Sequence, residues 1–278
     1  MSRRFTASIL LEQPWPLNID AIAAAIARRF PQVGRTEAVV GQSDVRDSAL
    51  LRIDGGNIVI TSEEVRCAPA DEVPRMKMVR RWDGSRDLAR HTAHVTVSCG
   101  GRLSDLAGVK AYAAAVHFVT AAILDLTPAL GVYWHGSHVL NRPQAFSAAS
   151  GALLQGEMPL DNWVGFAGYV PSGYAAGDAI GMVSHGLRPF LGRELELAPR
   201  RSNAASAHLW ISTVAQRVLG SGLDLGDGLH VIDAAQNFDL TVRERTFWLR
   251  RDLSSYVLVS PDAVVEVASL RPRHRRAA

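Results

Sequence analysis

Two matching histidine pairs, His91-x-x-His94 and His135-x-x-His138, have the residue type and count that metal chemistry needs. Four imidazoles are enough for a zinc shell, and neutral imidazole is a common ligand of that ion. Glu194 and Glu196 form a second candidate, because residues two apart on a strand share one face. Paired carboxylates can divide acid and base work if a cleft pushes their pKa values apart. Trp134 and Trp163 lie in neighbouring strand candidates and could line a shared groove. Each feature also has a plainer reading. Histidines in a sheet are often satisfied by backbone partners, a Glu-x-Glu pair is often a solvated strand face, and large aromatics are mostly core. No carboxylate stands at a convincing spacing from either histidine pair, so a metal site is the lesser reading and no catalytic residue is assigned. The candidate binding residues are therefore Trp134, His135, His138, Trp163, Glu194 and Glu196, with no cofactor expected.

Other motifs fall away on inspection. Ser184 in GMVSHG resembles a nucleophile elbow only loosely, since the first glycine is one residue too far and no helix follows. GSGLDLGDG (220–228) comes after a helix, so it cannot offer a helix N-terminus to phosphate.

The elements that must position these residues repeat one pattern of strand, turn or cap, and amphipathic helix. The first runs from FTASILL (5–11) through Asn18 as N-cap to a helix ending near Phe30, with Ile19, Ile22, Ala23 and Ile26 at helical spacing. The second runs from AHVTVSC (93–99) through Ser104 as cap to a helix ending near Leu124. The third runs from RELEL (193–197) through Ser202 or Asn203 to a helix ending near Leu219 and stopped by Gly220 and Gly222. Strands are expected at 37–40, 49–53, 57–61, 131–140, 163–169, 180–183, 229–234, 246–250, 256–260 and 264–267, with Asp54-Gly55-Gly56 closing a hairpin. In a continuous strand 131–140, His135 and His138 point to opposite faces, unless a bulge at Gly136-Ser137 reunites them.

Hairpins outnumber crossovers, and the strands alternate apolar with polar. The expectation is an α+β fold with largely antiparallel sheets and three main helices, built as ferredoxin-like βα units packed together. Residues 1–270 are expected as a single compact domain, with any subdomain boundary near 63–90 or 141–160. The charged, proline-containing stretch 63–90 reads as a linker or exposed excursion.

Composition narrows the function classes. The chain has 278 residues, 47% hydrophobic and 21% charged, which is ordinary globular usage. Its net charge of +3 comes from the end: Arg271, Arg273, Arg275 and Arg276 sit in an eight-residue tail, and without them the balance is −1. A basic disordered tail at 271–278 is expected, and nucleic acid is not expected as a partner except through it. Cys67 and Cys99 stand far apart without C-x-x-C spacing, pointing to a reducing compartment. The longest apolar run, Ala111–Leu124, falls short of the roughly 20 residues of a membrane span, so a soluble, cytoplasmic protein with no membrane partner is expected.

Several segments together resemble the bacterial family known as domain of unknown function 4261. They are AHVTVSCGG (93–101), GVYWHGSHVL (131–140), MPLDNWVGF (158–166), SHGLRPFLGRELEL (184–197) and, more loosely, CAPADEV (67–73). The resemblance implies a cytosolic bacterial accessory protein and supplies no activity to carry over. The favoured expectation is a non-enzymatic module that recognises a protein partner such as an effector, toxin or regulatory target. The alternative is a metal- or pocket-dependent hydrolase or ligand-binding enzyme centred on His135 and His138.

Overall fold

A computed structural model describes residues 2–33, 36–39, 48–53, 56–73, 82, 84–102, 105–171, 174–175, 178–235, 237–245, 254–261 and 263. The arginine-rich tail, the expected strands 246–250 and 264–267, the Asp54-Gly55 turn, the Ser104 cap and part of 63–90 lie outside the described residues. The fold is α+β with two largely antiparallel sheets. The chain divides into two compact units, with Trp163 in the first and Val164 in the second.

The N-terminal unit contains β1 (Ser2–Leu11), α1 (Ile19–Arg29), β2 (Thr36–Val39), β3 (Ser48–Ile53), β4 (Gly56–Glu63), α2 (Ala68–Glu72), α3 (Ser85–Arg90) and β5 (Ala93–Arg102). It continues with α4 (Leu106–Leu124), β6 (Gly131–Trp134), β7 (Val139–Asn141), α5 (Pro143–Leu154) and α6 (Leu160–Trp163). Its sheet runs β2-β3-β4-β5-β1-β6-β7 with every neighbour antiparallel. Strand β1 lies between β5 and β6, which α4 connects.

The pleat gives this sheet two chemically different faces. Phe5, Ala7, Ile9, Val95, Val97, Ile58, Ile60, Val132 and Trp134 are buried and fall on one face by register. Helix α4 packs on it, against β1 and β5, and α1 and α5 pack against α4. Arg29 at the end of α1 ties the three helices together by donating to the Ala121 carbonyl, the Asp125 carboxylate and both oxygens of Ser147. The opposite face carries Thr6, Ser8, His94, Thr96 and Tyr133. At one end of it Leu10 and Tyr133 form an apolar cluster with Cys67, Ala70, Val73 and Leu88 of the α2–α3 region.

Several expectations are corrected here. The stretch Gly131–Leu140 is two strands, because Gly136 at φ 80° and His138 at φ 58° adopt left-handed backbone that reverses the chain. The segment 63–90 is not a linker where it is described: Cys67, Ala70, Val73 and Leu88 enter the core cluster. A fourth long helix, α5, occupies the expected boundary 141–160, opening with proline in its first turn, as proline allows. Trp163 ends α6 and precedes strand β8. Asp105 accepts from the Gly108 amide as the N-cap of α4. Helix α4 is, by length and composition, apolar enough to cross a membrane, and it buries ten of its residues in this unit.

The C-terminal unit contains β8 (Gly165–Tyr169), β9 (Ile180–His185), α7 (Arg188–Leu191), β10 (Glu194–Arg200), α8 (Ala204–Ser221), β11 (His230–Asp233), β12 (Phe238–Arg245) and β13 (Ser255–Val259). Its sheet runs β11-β12-β13-β10-β9-β8, and the β10–β13 pair is parallel. Helix α8 packs on β9 and β10, with Asn203 as its N-cap and Gly222 ending it.

Candidate functional site

The polar face of the N-terminal sheet holds a cavity of about 600 Å³. Strand β1 contributes Arg4, Thr6 and Ser8 at alternate positions; β5 contributes His94 and Thr96; β4 ends in Glu63. The run Val65–Pro69 and the turn residues His135 and Gly136 complete the wall. Ser8 is directly opposite Thr96 on one side and Tyr133 on the other. Cross-strand partners share a face, so the register gathers these groups from distant sequence.

A chain of hydrogen bonds crosses the floor. The Ser8 hydroxyl lies 3.1 Å from Thr96 Oγ1 and 2.8 Å from His135 Nε2. The His135 amide donates to the Thr6 carbonyl, which anchors the turn to β1. His94 donates from Nδ1 to the Val65 carbonyl at 2.8 Å, and its Nε2 stands 3.7 Å from Glu63. Tyr133 Oη bonds His138 Nδ1 at 2.9 Å. Both turn histidines lie beside the Tyr133 ring, with centroids 4.6 and 6.4 Å away. The opposite-face expectation for His135 and His138 is thus overturned by the turn that Gly136 permits.

Burial favours the neutral forms of four side chains in this region, His135, His138, Tyr133 and Cys67. Burial, reinforced by the positive potential of His94, Arg4 and His138, pushes the His135 pKa down to about 4. Burial likewise lowers His138, raises Tyr133 to about 12 and raises the Cys67 thiol. His91 is a satisfied core residue: it donates to the Leu88 carbonyl at 2.6 Å and accepts from the Cys67 amide at 3.1 Å. Among the described residues no three His, Cys, Asp or Glu side chains are placed to hold a metal ion.

The other expected residues lie elsewhere. Trp134 and Trp163 stack at 5.5 Å and 16° in the core on the apolar face, 2% and 0% exposed, so they form no groove. Helix α4 inserts His117 beside them: Trp163 Nε1–H donates to His117 Nδ1 at 3.2 Å, and the imidazole stacks on Phe146 at 4.1 Å. Glu194, half-buried, and Glu196, buried, belong to the C-terminal unit and are engaged by donors within it, not a solvated strand face. Glu194 accepts from Ser184 Oγ at 2.6 Å and from the amides of Gly186, Leu187 and Arg188, pinning the turn into α7. Glu196, 4% exposed, accepts from Tyr169, Ser255 and Arg245. Both carboxylates are saturated with donors inside their own unit.

Sequence reading missed Arg4, Thr6, Ser8, Glu63, Cys67 and Thr96. The available signal was the parity of β1 and β5, where Thr6 and Ser8, like Thr96 and Ser98, interrupt apolar strands on one face. Comparison with protein-family models, curated proteins and solved structures found no match.

Proposed function

We propose that this chain is a binding protein, not a catalyst, and that its ligand is a small polar molecule held in the cavity on the polar face of the N-terminal sheet. The observation that carries this reading is the Thr96–Ser8–His135 hydrogen-bond chain, which ends in a cavity of molecular size. The titratable groups argue against catalysis. A general base works best with a pKa near ambient pH, whereas His135 sits at about 4 and the Cys67 thiol is held protonated. Ser8 has an imidazole beside it, but among the described residues no carboxylate orients that ring as a nucleophilic triad needs. A protein partner remains the second expectation for the chain as a whole, and no anchor for it emerges from Trp134 or Trp163.

The same reading takes the N-terminal unit as ferredoxin-like. Two split β-α-β connections support it: β5–α4–β6 around β1, and β1–α1 leading through β2 and β3 to β4 around β5. Buried free cysteines 67 and 99 support a cytoplasmic setting. The resemblance to domain of unknown function 4261 stays a proposal of kinship.

Thermal unfolding against a panel of small polar metabolites tests the function, run in parallel on wild type and the near-isosteric Ser8→Ala/Thr96→Val variant. A ligand at a hundred times its Kd adds about 2.7 kcal/mol, a shift of roughly 5 °C or more at this size. Hits confined to wild type support the reading; hits that stabilise the variant equally overturn it.

A further inference from the structure

We infer that the occupant of this cavity carries an anionic oxygen group, a carboxylate or a phosphate, seated between the Arg4 guanidinium and the His135 ring. The inference rests on the binding reading above and names the class of ligand. Two arginines line the cavity, and they differ in what they already hold. Arg66 is committed: it forks onto both oxygens of Asp71 at 3.1 and 2.7 Å and donates to the Leu88 and His91 carbonyls. Its charge is offset and its donors are spent fastening α2 to α3. The Arg4 guanidinium has no hydrogen bond or ion pair with any described residue, although the Arg4 backbone is fixed in register with β5. An uncommitted guanidinium beside a cavity offers the planar fork that suits carboxylate or phosphate.

His135 supplies the second donor. Its Nε2 faces Ser8, leaving Nδ1 as the ring atom with hydrogen-bonding capacity to spare. An anion beside the ring selects the arrangement in which Thr96 donates to Ser8 and Ser8 donates to Nε2. The ring proton then sits on Nδ1, available to the ligand. Arg4 and His135 belong to the same end of the cavity, because β1 presents Arg4, Thr6 and Ser8 in succession on one face and the His135 amide is bonded to Thr6. The one carboxylate lining the cavity, Glu63, faces His94 toward the other end of the strands. One end of the cavity is therefore cationic and rich in donors, and the other is acidic.

The test uses the full chain and three probes: acetate, its neutral isostere acetamide, and inorganic phosphate. Ring signals of His135 are followed by NMR titration in wild type, Arg4→Gln and Arg4→Lys. Saturable shifts with acetate or phosphate, at least about tenfold weaker with acetamide and weakened about tenfold by Arg4→Gln, support the seat. Arg4→Lys should retain part of the affinity, since charge remains and the fork is lost. Whichever of acetate and phosphate binds more tightly identifies the source of the anionic group. Equal binding of acetate and acetamide overturns the anionic class and leaves the cavity reading standing. Anion binding that is indifferent to Arg4→Gln marks an adventitious ion only and overturns the seat. If no probe moves the His135 signals, the anionic seat is overturned, while the cavity reading stands or falls by the thermal-unfolding panel.

Discussion

Acidification should destabilise the N-terminal unit through His117, and substitution of that residue should remove a definable share of the effect. The imidazole is stacked on Phe146, edge-on to Trp163 and fully buried. Trp163 Nε1–H already points at Nδ1, so the single ring proton resides on Nε2. Protonating Nδ1 would set two N–H donors against each other inside the core, with no carboxylate hydrogen-bonded to the ring. Desolvation, aided by the positive charge of Arg29, lowers the pKa to about 3. A histidine whose folded pKa is depressed contributes stability that is complete above its unfolded pKa of about 6.5 and is lost as pH falls through 6.5 toward 3. Between pH 7.5 and 4.5 the unfolded chain takes up the proton and the folded one does not, which amounts to about 2–3 kcal/mol. The size is governed by the unfolded-state pKa, since the folded value lies well below the window. Urea unfolding at both pH values, in wild type and His117→Leu, isolates this share. The substitution strips Trp163 of its acceptor at a cost of about 1–3 kcal/mol, but that cost is present at both pH values and cancels in the comparison. Wild type should lose about 2–3 kcal/mol more than the variant on acidification. Parallel losses would refute the reasoning.

Two further outcomes follow from the C-terminal unit. Glu194→Gln should cost roughly 2–4 kcal/mol in chemical denaturation, because the new amide group meets amides at Gly186, Leu187 and Arg188 that now donate to a carboxylate. A loss under about 1 kcal/mol would show that the turn before α7 does not depend on this anchor. Asn203→Ala should cost about 1 kcal/mol, since its side chain accepts from the Ser206 amide at the start of α8; unchanged unfolding in urea would contradict the capping role.

The long helices were legible because each carries its own signals. Asn18 and Asn203 cap α1 and α8 by local bonds, and the apolar residues between recur at helical spacing. Helix α5 was missed although Pro143 marks its first turn, because Ser147, Ser150 and Gly151 dilute its periodicity. The strand prediction for 131–140 failed at Gly136 and His138. Their left-handed backbone is a choice that the flanking strand formers Val132, Tyr133 and Val139 do not announce. Among the candidate residues, His135 and His138 reach the neighbourhood of the cavity, whereas Trp134, Trp163, Glu194 and Glu196 are internal to their units.

From the sequence alone one could determine the α+β class, the antiparallel bias, the main helices and the absence of a recognised catalytic motif. Those properties depend on residues close in the chain. What only the tertiary structure decided was which polar residues meet. Ser8, Thr96 and His135 are separated by 88 and 127 positions from Ser8, and the register of β1 with β5 and β6 brings them together. Burial then decided their chemistry, since an imidazole, a thiol or a carboxylate has its ordinary pKa in the chain and acquires another when its solvent is replaced.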